Sequence, residues 1–443
     1  METARQIAFK ALMKIQNNKG FSNLVVNNSL NAQSLSSKDR AFVTALVYGV
    51  VERSLTLDFI IEANSSKKIK NIDTPVLTIL RMGVYQLYFM RSVTESAAVN
   101  ESVELSKKVG YHRASGFINA VLRSCIRNFD FERSLINIKE IDKQLSIRYS
   151  CPLWLVQMWL KQNGEEETRV FLERSVGKPP VYVRVNSLLI SEDELIEELK
   201  KEEISAEKTD LENCLLITSL TDCENSEAFK KGYFHVQDKS SQLCIKYACI
   251  KEKDVVLDVC SAPGGKAFTA AQYMNNNGKL LAFDLHKNRV NLISEGAKRL
   301  HANCISADCQ DATVYNEDLP KADVVICDVV CSGFGIIRRK PEIKYKTQDE
   351  ISRLPEIQYN ILSNASRYVK DDGVIVYSTC TVNKCENEDV VKRFIKEHGN
   401  FEIVLPEQEM SLYFGNTNNG CITLFGDGNN SDGFFICKIR KVS

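Results

Sequence analysis

The chain has little of what a secreted, membrane-spanning or metal-binding protein would show. No apolar run reaches the ~20 residues that a membrane-spanning helix requires, and the N-terminal stretch METARQIAFKALMKIQ lacks the apolar segment of a signal peptide. The 15 cysteines are an odd number and contain no CxxC pair, which favours reduced thiols over disulfides and argues against a zinc site. We therefore expect a cytoplasmic protein without a metal centre.

Charge is balanced over the whole chain but not along it. Lys+Arg and Asp+Glu each number 57. Residues 1–140 contain 19 basic and 12 acidic residues, a net of +7, whereas the remainder contains 38 and 45, a net of −7. A basic lobe beside an acidic one suggests a polyanionic partner such as nucleic acid, although a net charge of this size also fits an ordinary solvated surface.

A length of 443 residues predicts about three domains, at roughly 150 residues each. Helical periodicity dominates residues 1–140, with an N-terminal capping residue at Ser36 and with Pro75 in the first turn of another helix. Residues 141–250 indicate a linker helix and a small α+β domain. In residues 251–443, apolar strands alternate with helices, which is typical of a parallel sheet covered on both faces.

Ligands of such sheets bind at the carboxyl ends of the strands, where this chain carries glycines and acids. The stretch VVLDVCSAPGGKAFTAAQ predicts a strand, a turn and a helix, and Gly264 and Gly265 would let a ligand approach the backbone closely. Asp284 ends the next strand at a spacing that suits ribose hydroxyls, and Asp308 and Asp328 end two later strands. Because the GxGxxG and GxxxxGK[ST] signatures are absent, we expect a nucleoside-bearing cofactor other than NAD or ATP.

Two cysteines follow strand ends at this same edge. Cys331 lies in VVICDVVCSGFG, three residues after Asp328, and Cys380 lies in GVIVYSTCT. A lone cysteine on an apolar strand is usually a small hydrophobic residue, but thiols at a ligand-binding edge beside a carboxylate fit nucleophilic catalysis. The residues alone do not decide which thiol attacks, since either could reach a bound base.

These stretches are similar to motifs of the RNA cytosine-C5 methyltransferases. CSAPGGK (Cys260–Lys266) resembles their motif I, DVVCSGFGIIRRKPEIKY (Asp328–Tyr345) resembles their D-A-P-C-S-G-T-G…RR-P segment, and YSTCTVNKCEN (Tyr377–Asn387) resembles their T-C-S-V…EN segment. Three shorter stretches, RVN, VQDKSSQ and DGFF, also match. The N-terminal helices resemble the NusB RNA-binding fold, which the bacterial 16S rRNA (cytosine-C5) methyltransferases of the Sun/Fmu type, the RsmB subfamily, carry.

The resemblance implies a multidomain fold. An all-α NusB-like N-terminal bundle would precede a small α+β domain and an α/β Rossmann-like class I methyltransferase domain. The implied reaction transfers a methyl group from S-adenosyl-L-methionine to C5 of cytosine 967 of 16S rRNA, through a covalent adduct between a cysteine and C6. The partner would be 16S rRNA, naked or in an early small-subunit particle, and the protein would act as a monomer.

The resemblance also implies roles for single residues. Cys380 would be the nucleophile, Asp328 the partner of cytosine N3, and Cys331 an aid to product release. The ribose of the cofactor would lie on Asp284, its adenine edge near Asp308 and its reactive end near Asp328. Its methionine end would lie on Cys260, Ser261, Ala262, Pro263, Gly264, Gly265 and Lys266. DNA cytosine methyltransferases use the cysteine of their P-C motif, so Cys331 stays open as the alternative nucleophile.

The chain departs from the family pattern near both cysteines. Val330 stands where the family has proline, Phe334 where it has threonine, and Lys384–Cys385 where it has Pro-Glu. Proline fixes φ and removes an N–H, so the first change bears on the loop that would present the base. Two other classes stay open, an RNA-binding assembly factor with impaired catalysis and a NusB-like transcription partner. Retention of Cys331 and Cys380 argues against both, because a binding module has no use for paired thiols.

Overall fold

The computed structural model describes residues 2–18, 22–31, 35–219, 223–414, 419–426 and 431–442. By internal contacts the chain forms two units. The first contains residues 1–178 together with the segment 337–346, and the second contains residues 179–336 and 347–443. Among the described residues, no helix is both long enough and apolar enough to cross a membrane.

The first unit is helical, and its helices begin where the sequence predicts. Ser36 Oγ accepts the N–H of Asp39 at 3.1 Å as an N-terminal cap, and Pro75 lies in the first turn of its helix. Its α-helices, α1 to α11, are Ala4–Asn18, Ser22–Asn31, Ser37–Glu52, Ser54–Ala63, Thr74–Phe89, Glu95–Lys108, Ser115–Asn128, Phe131–Ile136, Ile141–Arg148, Leu153–Asn163 and Glu165–Arg174. Three 3₁₀ turns are Ile69–Asn71, His112–Ala114 and Pro341–Tyr345.

The apolar faces of these helices enclose a core of their own. Val47 of α3, Ile60 of α4, Leu80 of α5 and Leu122 of α7 are all fully buried in it. A side chain at Gly49 would overlap the ring of Tyr85, so glycine lets this ring of α5 lie against α3. The all-α N-terminal region predicted from the sequence is confirmed.

The segment 337–346 packs against the helices of this first unit. The side chain of Lys344 is fully buried, and its Nζ donates to the carbonyl of Glu52. Tyr345 Oη donates to the carbonyl of Val51 at 3.2 Å. Burial lowers the pKa of Lys344 to about 8, because the charged ammonium loses solvation. The segment follows the Cys331 loop along the chain but belongs by contact to the helical unit.

The second unit contains a small antiparallel sheet and a large mixed sheet. The small sheet is formed by β1 (Val181–Val185), β2 (Ala206–Lys208), β3 (Cys214–Ile217) and β4 (Phe234–Val236), in the order β2-β3-β1-β4. Three of these strands were expected, and β2 was not. Two buried side chains tie the small sheet to the helices of the large sheet. Arg184 Nε donates to Gln272 Oε1 at 2.9 Å, and Asn186 Nδ2 donates to the carbonyl of Leu300 at 2.8 Å.

The large sheet is parallel in the middle and antiparallel at one side. Its strands are β5 (Val255–Asp258), β6 (Lys279–Asp284), β7 (Ile305–Cys309), β8 (Ala322–Asp328), β9 (Val369–Thr379), β10 (Phe401–Val404), β11 (Cys421–Leu424) and β12 (Phe434–Lys441). The order is β10-β12-β9-β8-β5-β6-β7, and β11 also pairs with β12. Strands β5 to β9 are parallel as predicted. The prediction of an entirely parallel sheet is wrong, because β12 runs antiparallel to β9; β10 and β11 were not predicted.

Helices cover both faces of the large sheet, which gives the doubly wound arrangement expected from the sequence. Alternate strand residues enter two separate cores: Val256 packs with the helix Gly265–Tyr273 on one face, whereas Leu257 packs with the helices Leu354–Ser366 and Glu388–Glu397 on the other. The α-helices of this unit, α12 to α20, are Glu192–Lys201, Glu227–Lys230, Lys239–Ala248, Gly265–Tyr273, Lys287–Arg299, Gln348–Ile351, Leu354–Ser366, Glu388–Glu397 and Gln408–Phe414. Its 3₁₀ turns are Cys223–Asn225, Phe334–Ile336 and Lys384–Glu386.

Candidate active site

The parallel strands β5 to β9 end at one edge of the sheet, and this edge collects most of the residues singled out from the sequence. In the ladder, Asp258 at the end of β5 is level with Ile326 of β8, and Asp328 at the end of β8 is level with Ser378 of β9. The carboxyl edge of an open α/β sheet is where ligands bind. The loops that leave these strands therefore form the candidate active site.

The loop after β5 turns sharply into helix α15. Gly264 has a φ of +111°, a region that residues with a side chain rarely adopt. A Cβ at Gly264 would also lie 2.4 Å from the ring of Phe268, so glycine is required there twice over. The N–H of Ser261 donates to the carbonyl of Phe283 at 2.7 Å, which fixes the start of the loop against β6. The N-terminus of α15 follows this loop, and a helix N-terminus is a site that binds anionic ligand groups.

Asp258 was not singled out from the sequence, yet it is the most unusual acid at this edge. Its side chain is fully buried, and no donor among the described residues meets full hydrogen-bond geometry with either carboxylate oxygen, although the Ser261 side chain and the Cys260 backbone lie close enough to lower its pKa. The hydroxyl of Ser261 likewise has no partner of full hydrogen-bond geometry among the described residues. Burial raises the pKa of Asp258 to about 7. A buried polar group without a partner is costly, so these oxygens fit a missing polar ligand, and a cationic one best.

The next two strands carry Asp284 and Asp308, which differ in their surroundings. Asp284 is buried; its Oδ1 accepts the N–H of His286 at 3.1 Å, and its Oδ2 pairs with Arg289 at 2.9 Å. Asp308 is exposed and accepts the N–H of its neighbour Cys309 at 2.7 Å. Both carboxylates lie near the ends of adjacent parallel strands, within reach of a ligand that extends along the edge from the β5 loop.

Asp328 is held by two donors. Lys266 Nζ, from the loop after β5, contacts its Oδ2 at 2.8 Å, and Ser378 Oγ donates to its Oδ1 at 2.8 Å. Burial by itself would lower the pKa of Lys266, but the adjacent carboxylate overrides this effect and raises the pKa. Lys266 is therefore the ammonium partner of Asp328, a contact that the spacing of 62 residues in sequence could not indicate.

The two candidate cysteines form a thiol pair. The Sγ atoms of Cys331 and Cys380 are 3.2 Å apart, and both side chains are half-buried. The hydrogen bond to Cys380, followed by burial, raises the pKa of Cys331 well above the ordinary value of a thiol. Two sulfur atoms this close, next to a carboxylate, give the edge one nucleophile and one neighbouring proton donor.

Backbone contacts hold the two cysteine loops together. The N–H of Gly335 donates to the carbonyl of Cys380 at 2.9 Å. A Cβ at Gly335 would lie 1.8 Å from the carbonyl oxygen of Gly433, so the three chain segments approach one another too closely for a side chain there. Ser332 Oγ and Thr381 Oγ1 are 2.8 Å apart and add a buried hydrogen bond between the loops. The thiol pair is thus part of a tightly packed framework.

The residues that depart from the family pattern have distinct surroundings. Val330 is 53% exposed next to the thiol pair, and its carbonyl accepts from Gln358 Nε2 at 2.9 Å. Phe334, which stands where the family has threonine, is fully buried and packs in the core. Cys385 is exposed, and burial of part of its side chain raises the pKa of its thiol. None of these changes removes a group from the thiol pair or from Asp328.

Fold and site together define an α/β methyltransferase. Comparison with known proteins supports this class. Residues 248–440 match the family model described as 16S rRNA methyltransferase RsmB/F, residues 2–127 match the NusB family, and residues 151–224 match the RsmF/B-like ferredoxin-like domain. The chain is 34% identical to the probable ribosomal RNA small subunit methyltransferase B of Bacillus subtilis, over 99% of both chains. It is 30% identical to the protein of the same description from Synechocystis, over 100% of both chains.

Two solved structures share the fold. The crystal structure of PH0851 covers 100% of this chain and is itself covered to 99%, with a TM-score of 0.81 and 23% identity. The structure of NSun6 from Pyrococcus horikoshii with SFG covers 65% of this chain and is itself covered to 97%, with a TM-score of 0.59 and 24% identity. The chain belongs to the RsmB/F family of 16S rRNA methyltransferases, as the resemblance implied. It is an enzyme that depends on S-adenosylmethionine.

Proposed function

We propose that this enzyme methylates C5 of a single cytosine in 16S rRNA, cytosine 967, through a covalent adduct between Cys380 and C6 of the base. The observation that carries the proposal is the thiol pair, Cys331 and Cys380 with Sγ atoms 3.2 Å apart, together with Asp328, which is close enough to raise the pKa of Cys331. The target position is taken from the family to which the chain belongs.

The residues at the ends of β5 and β6 fit S-adenosylmethionine. The two oxygens of Asp258 have no donor of full hydrogen-bond geometry among the described residues and would pair with a cationic group of this ligand. The loop Cys260–Lys266 and the N-terminus of α15 would receive its carboxylate end, and Asp284 its ribose hydroxyls. When bound, the cofactor supplies an electrophilic methyl group. Asp308 would lie near its adenine edge.

Cytosine C5 is a poor nucleophile, and the thiol chemistry supplies what it lacks. The Cys380 thiolate forms a bond from Sγ to C6, which turns the ring into an enamine whose C5 can accept a methyl group. Negative charge moves to N3 during the attack, and a proton near Asp328 stabilises it there. The ammonium of Lys266, whose Nζ lies 2.8 Å from Asp328 Oδ2, is the source of this proton. Loss of the C5 proton to a base then breaks the C6–Sγ bond and releases the methylated base.

The remaining domains are proposed to hold the RNA. Residues 1–140 form the NusB-like bundle and carry a net charge of +7, which suits a phosphate backbone. Residues 141–250, with the small antiparallel sheet, would contact the RNA beside the catalytic domain, residues 251–443. The target cytosine has to be unpaired or turned out of its stack to reach a thiol at the sheet edge.

Methyl transfer from radiolabelled S-adenosylmethionine to unmodified 16S RNA, and to small-subunit particles, tests the proposal. We expect the wild-type chain to label the RNA, Cys380→Ala to transfer nothing, and Cys331→Ala to accumulate a protein–RNA adduct that survives denaturant. A dead Cys331→Ala variant without an adduct would reverse the two roles. Absence of transfer by the wild-type chain, with RNA binding retained, would favour an assembly factor with impaired catalysis.

A further inference from the structure

Glu386 is a buried carboxylate that the proposed chemistry does not use. It lies in the 3₁₀ turn that follows Cys380, and its side chain is fully buried. Its Oε2 accepts the N–H of Ser332 at 2.8 Å and Gln358 Nε2 at 3.0 Å, and its Oε1 accepts Asn383 Nδ2 at 2.9 Å. All three partners are neutral N–H donors. These donors suit an ionised carboxylate, which only accepts hydrogen bonds. The negative charge of Glu386 is thus stabilised by hydrogen bonds from neutral groups.

These hydrogen bonds connect Glu386 to both sides of the thiol pair. Ser332 directly follows Cys331, so its N–H fixes the Cys331 loop. Gln358, from α18, donates both to Glu386 and to the carbonyl of Val330. Tyr377, three residues before Cys380, donates its hydroxyl to the carbonyl of Glu386 at 2.7 Å. One buried carboxylate thus fixes the relative position of two loops that carry the two sulfur atoms.

The charge of Glu386 acts on the thiol of Cys331. A negative charge disfavours a thiolate near it, and Glu386 is hydrogen-bonded to the residue that follows Cys331. The titratable groups that face Cys331 are Cys380 and Tyr377 on or after β9, Asp328 on β8, and Glu386. The charge of Asp328 is offset by its ion pair with Lys266, whereas the described side-chain hydrogen bonds of Glu386 come from the neutral groups of Ser332, Gln358 and Asn383. Both raise the pKa of Cys331, after the effects of its bond to Cys380 and of burial.

We propose that Glu386 is a positioning residue that holds the Cys331 loop against Cys380 and keeps the proton on Cys331, so that the thiolate forms on Cys380. The retained proton has a use at the end of the reaction. When the C6–Sγ bond breaks, the Cys331 thiol donates a hydrogen bond to the departing sulfur of Cys380 and stabilises it as a thiolate, which restores the pair for the next cycle. The inference rests on the proposed function and deepens it, because it explains why one of two adjacent thiols attacks.

Alkylation of the folded full-length chain by iodoacetamide, without RNA or cofactor, tests the inference. Peptide mass spectrometry gives the labelling rates of Cys331 and Cys380 separately, and only thiolates react. We expect the wild-type chain to label at Cys380 first. Glu386→Gln removes the charge, and Gln358→Lys pairs it with an ammonium; each variant should raise the ratio of Cys331 to Cys380 labelling about tenfold, the change that one pKa unit produces.

Ser332→Ala is the matched control, because it removes the neutral bond from Ser332 Oγ to Thr381 but keeps the backbone N–H that contacts Glu386. It should leave the labelling ratio at the wild-type value. During turnover, Glu386→Gln should retain more of the denaturant-resistant RNA adduct than the wild-type chain does, because Cys331 holds its proton less firmly.

An unchanged labelling ratio in a folded Glu386→Gln or a folded Gln358→Lys variant would overturn the inference. Thermal melting shows which variants are folded. If one variant does not fold, the labelling ratio of the other tests the inference. The labelling ratio needs no methyl transfer. If the wild-type chain fails to methylate RNA, or if Cys380→Ala still does, the proposed function fails whatever the ratio.

Discussion

Asp258 offers the sharpest test of the cofactor site, because its protonation affects both stability and binding. In the chain without ligand the carboxyl is fully buried without a donor of full hydrogen-bond geometry among the described residues, and burial raises its pKa to about 7 from 3.8. We predict that Asp258→Asn stabilises the ligand-free protein above pH 7 and weakens the binding of S-adenosylmethionine. A group used only for packing would not give both effects.

The magnitude follows from the pKa change of Asp258. A rise of about 3 units, at about 1.36 kcal/mol each, is about 4 kcal/mol. A raised carboxyl pKa means that the folded state binds the proton more tightly than the unfolded state does. The proton on Asp258 therefore stabilises the folded state fully below pH 4, and this stabilisation is lost as the pH rises through 7. The stability advantage of Asp258→Asn over wild type should fall by about 2–3 kcal/mol between pH 8 and pH 5.

Urea unfolding at several pH values measures the first effect, and titration calorimetry with S-adenosylmethionine measures the second. Wild-type affinity should rise about tenfold per pH unit below 7 and level off above it. The affinity of Asp258→Asn should not follow this rise, and at pH 8 it should be about 10–100-fold weaker, since a charge-assisted hydrogen bond contributes about 1.5–3 kcal/mol. Asp323→Asn is the control. Asp323 lies at the opposite end of β8, paired with Lys370 at 2.8 Å, and its loss should leave affinity unchanged.

Equal cofactor affinity of wild type and Asp258→Asn at pH 8 would refute the assignment of Asp258 to the cofactor site. A stability difference that does not change between pH 5 and pH 8 would refute the argument from burial instead. The two results are independent, because the unfolding experiments contain no ligand.

Two further predictions concern other sites. Lys344→Met should stabilise the protein by about 2 kcal/mol at pH 7, measured by urea unfolding. The reason is that a pKa lowered to about 8 from 10.5 makes the buried ammonium unfavourable, and the gain should shrink as the pH rises above 8. Val330→Pro should change the methyl-transfer rate less than about threefold and add about 0.4–1 kcal/mol of stability, by restricting the unfolded chain. A rise in rate of tenfold or more would instead mean that valine impairs catalysis at this position.

Much of the fold could be predicted from the sequence, because the sequence signals of these elements are local. Capping at Ser36, the proline in the first turn of α5 and the apolar runs of β5 to β9 each depend on residues within a few positions of one another. The direction of a strand does not depend on neighbouring residues alone. The antiparallel direction of β12 depends on the path of the chain through residues 380–433, and the short strands β10 and β11 carry too few residues to show a period.

The candidate site was predictable where a motif placed a group at a strand end, as for Asp284, Asp328 and the two cysteines. It was not predictable where a contact joins distant positions. Lys266 was expected to bind cofactor with its loop, but its ammonium contacts Asp328. In the sequence, Asp258 looks like an ordinary strand residue. In the structure it is distinguished by its buried oxygens, for which no donor among the described residues has full hydrogen-bond geometry. An acid in a predicted apolar strand, just before a glycine turn, was the one available signal.

The loop at Val330 shows how the same geometry can be reached without a proline. Proline would restrict φ, but here the loop is fixed from outside. The carbonyl of Val330 accepts a hydrogen bond from Gln358, and the N–H of Ser332, two residues further along the chain, donates to Glu386. Among the described residues, the N–H of Val330 donates to no protein group, so a proline there would remove no bond. Since the bonds that position Cys331 come from Gln358 and Glu386, replacing proline by valine leaves the thiol pair assembled. A substitution of Glu386 would instead disturb the thiol pair, because it removes one of these bonds.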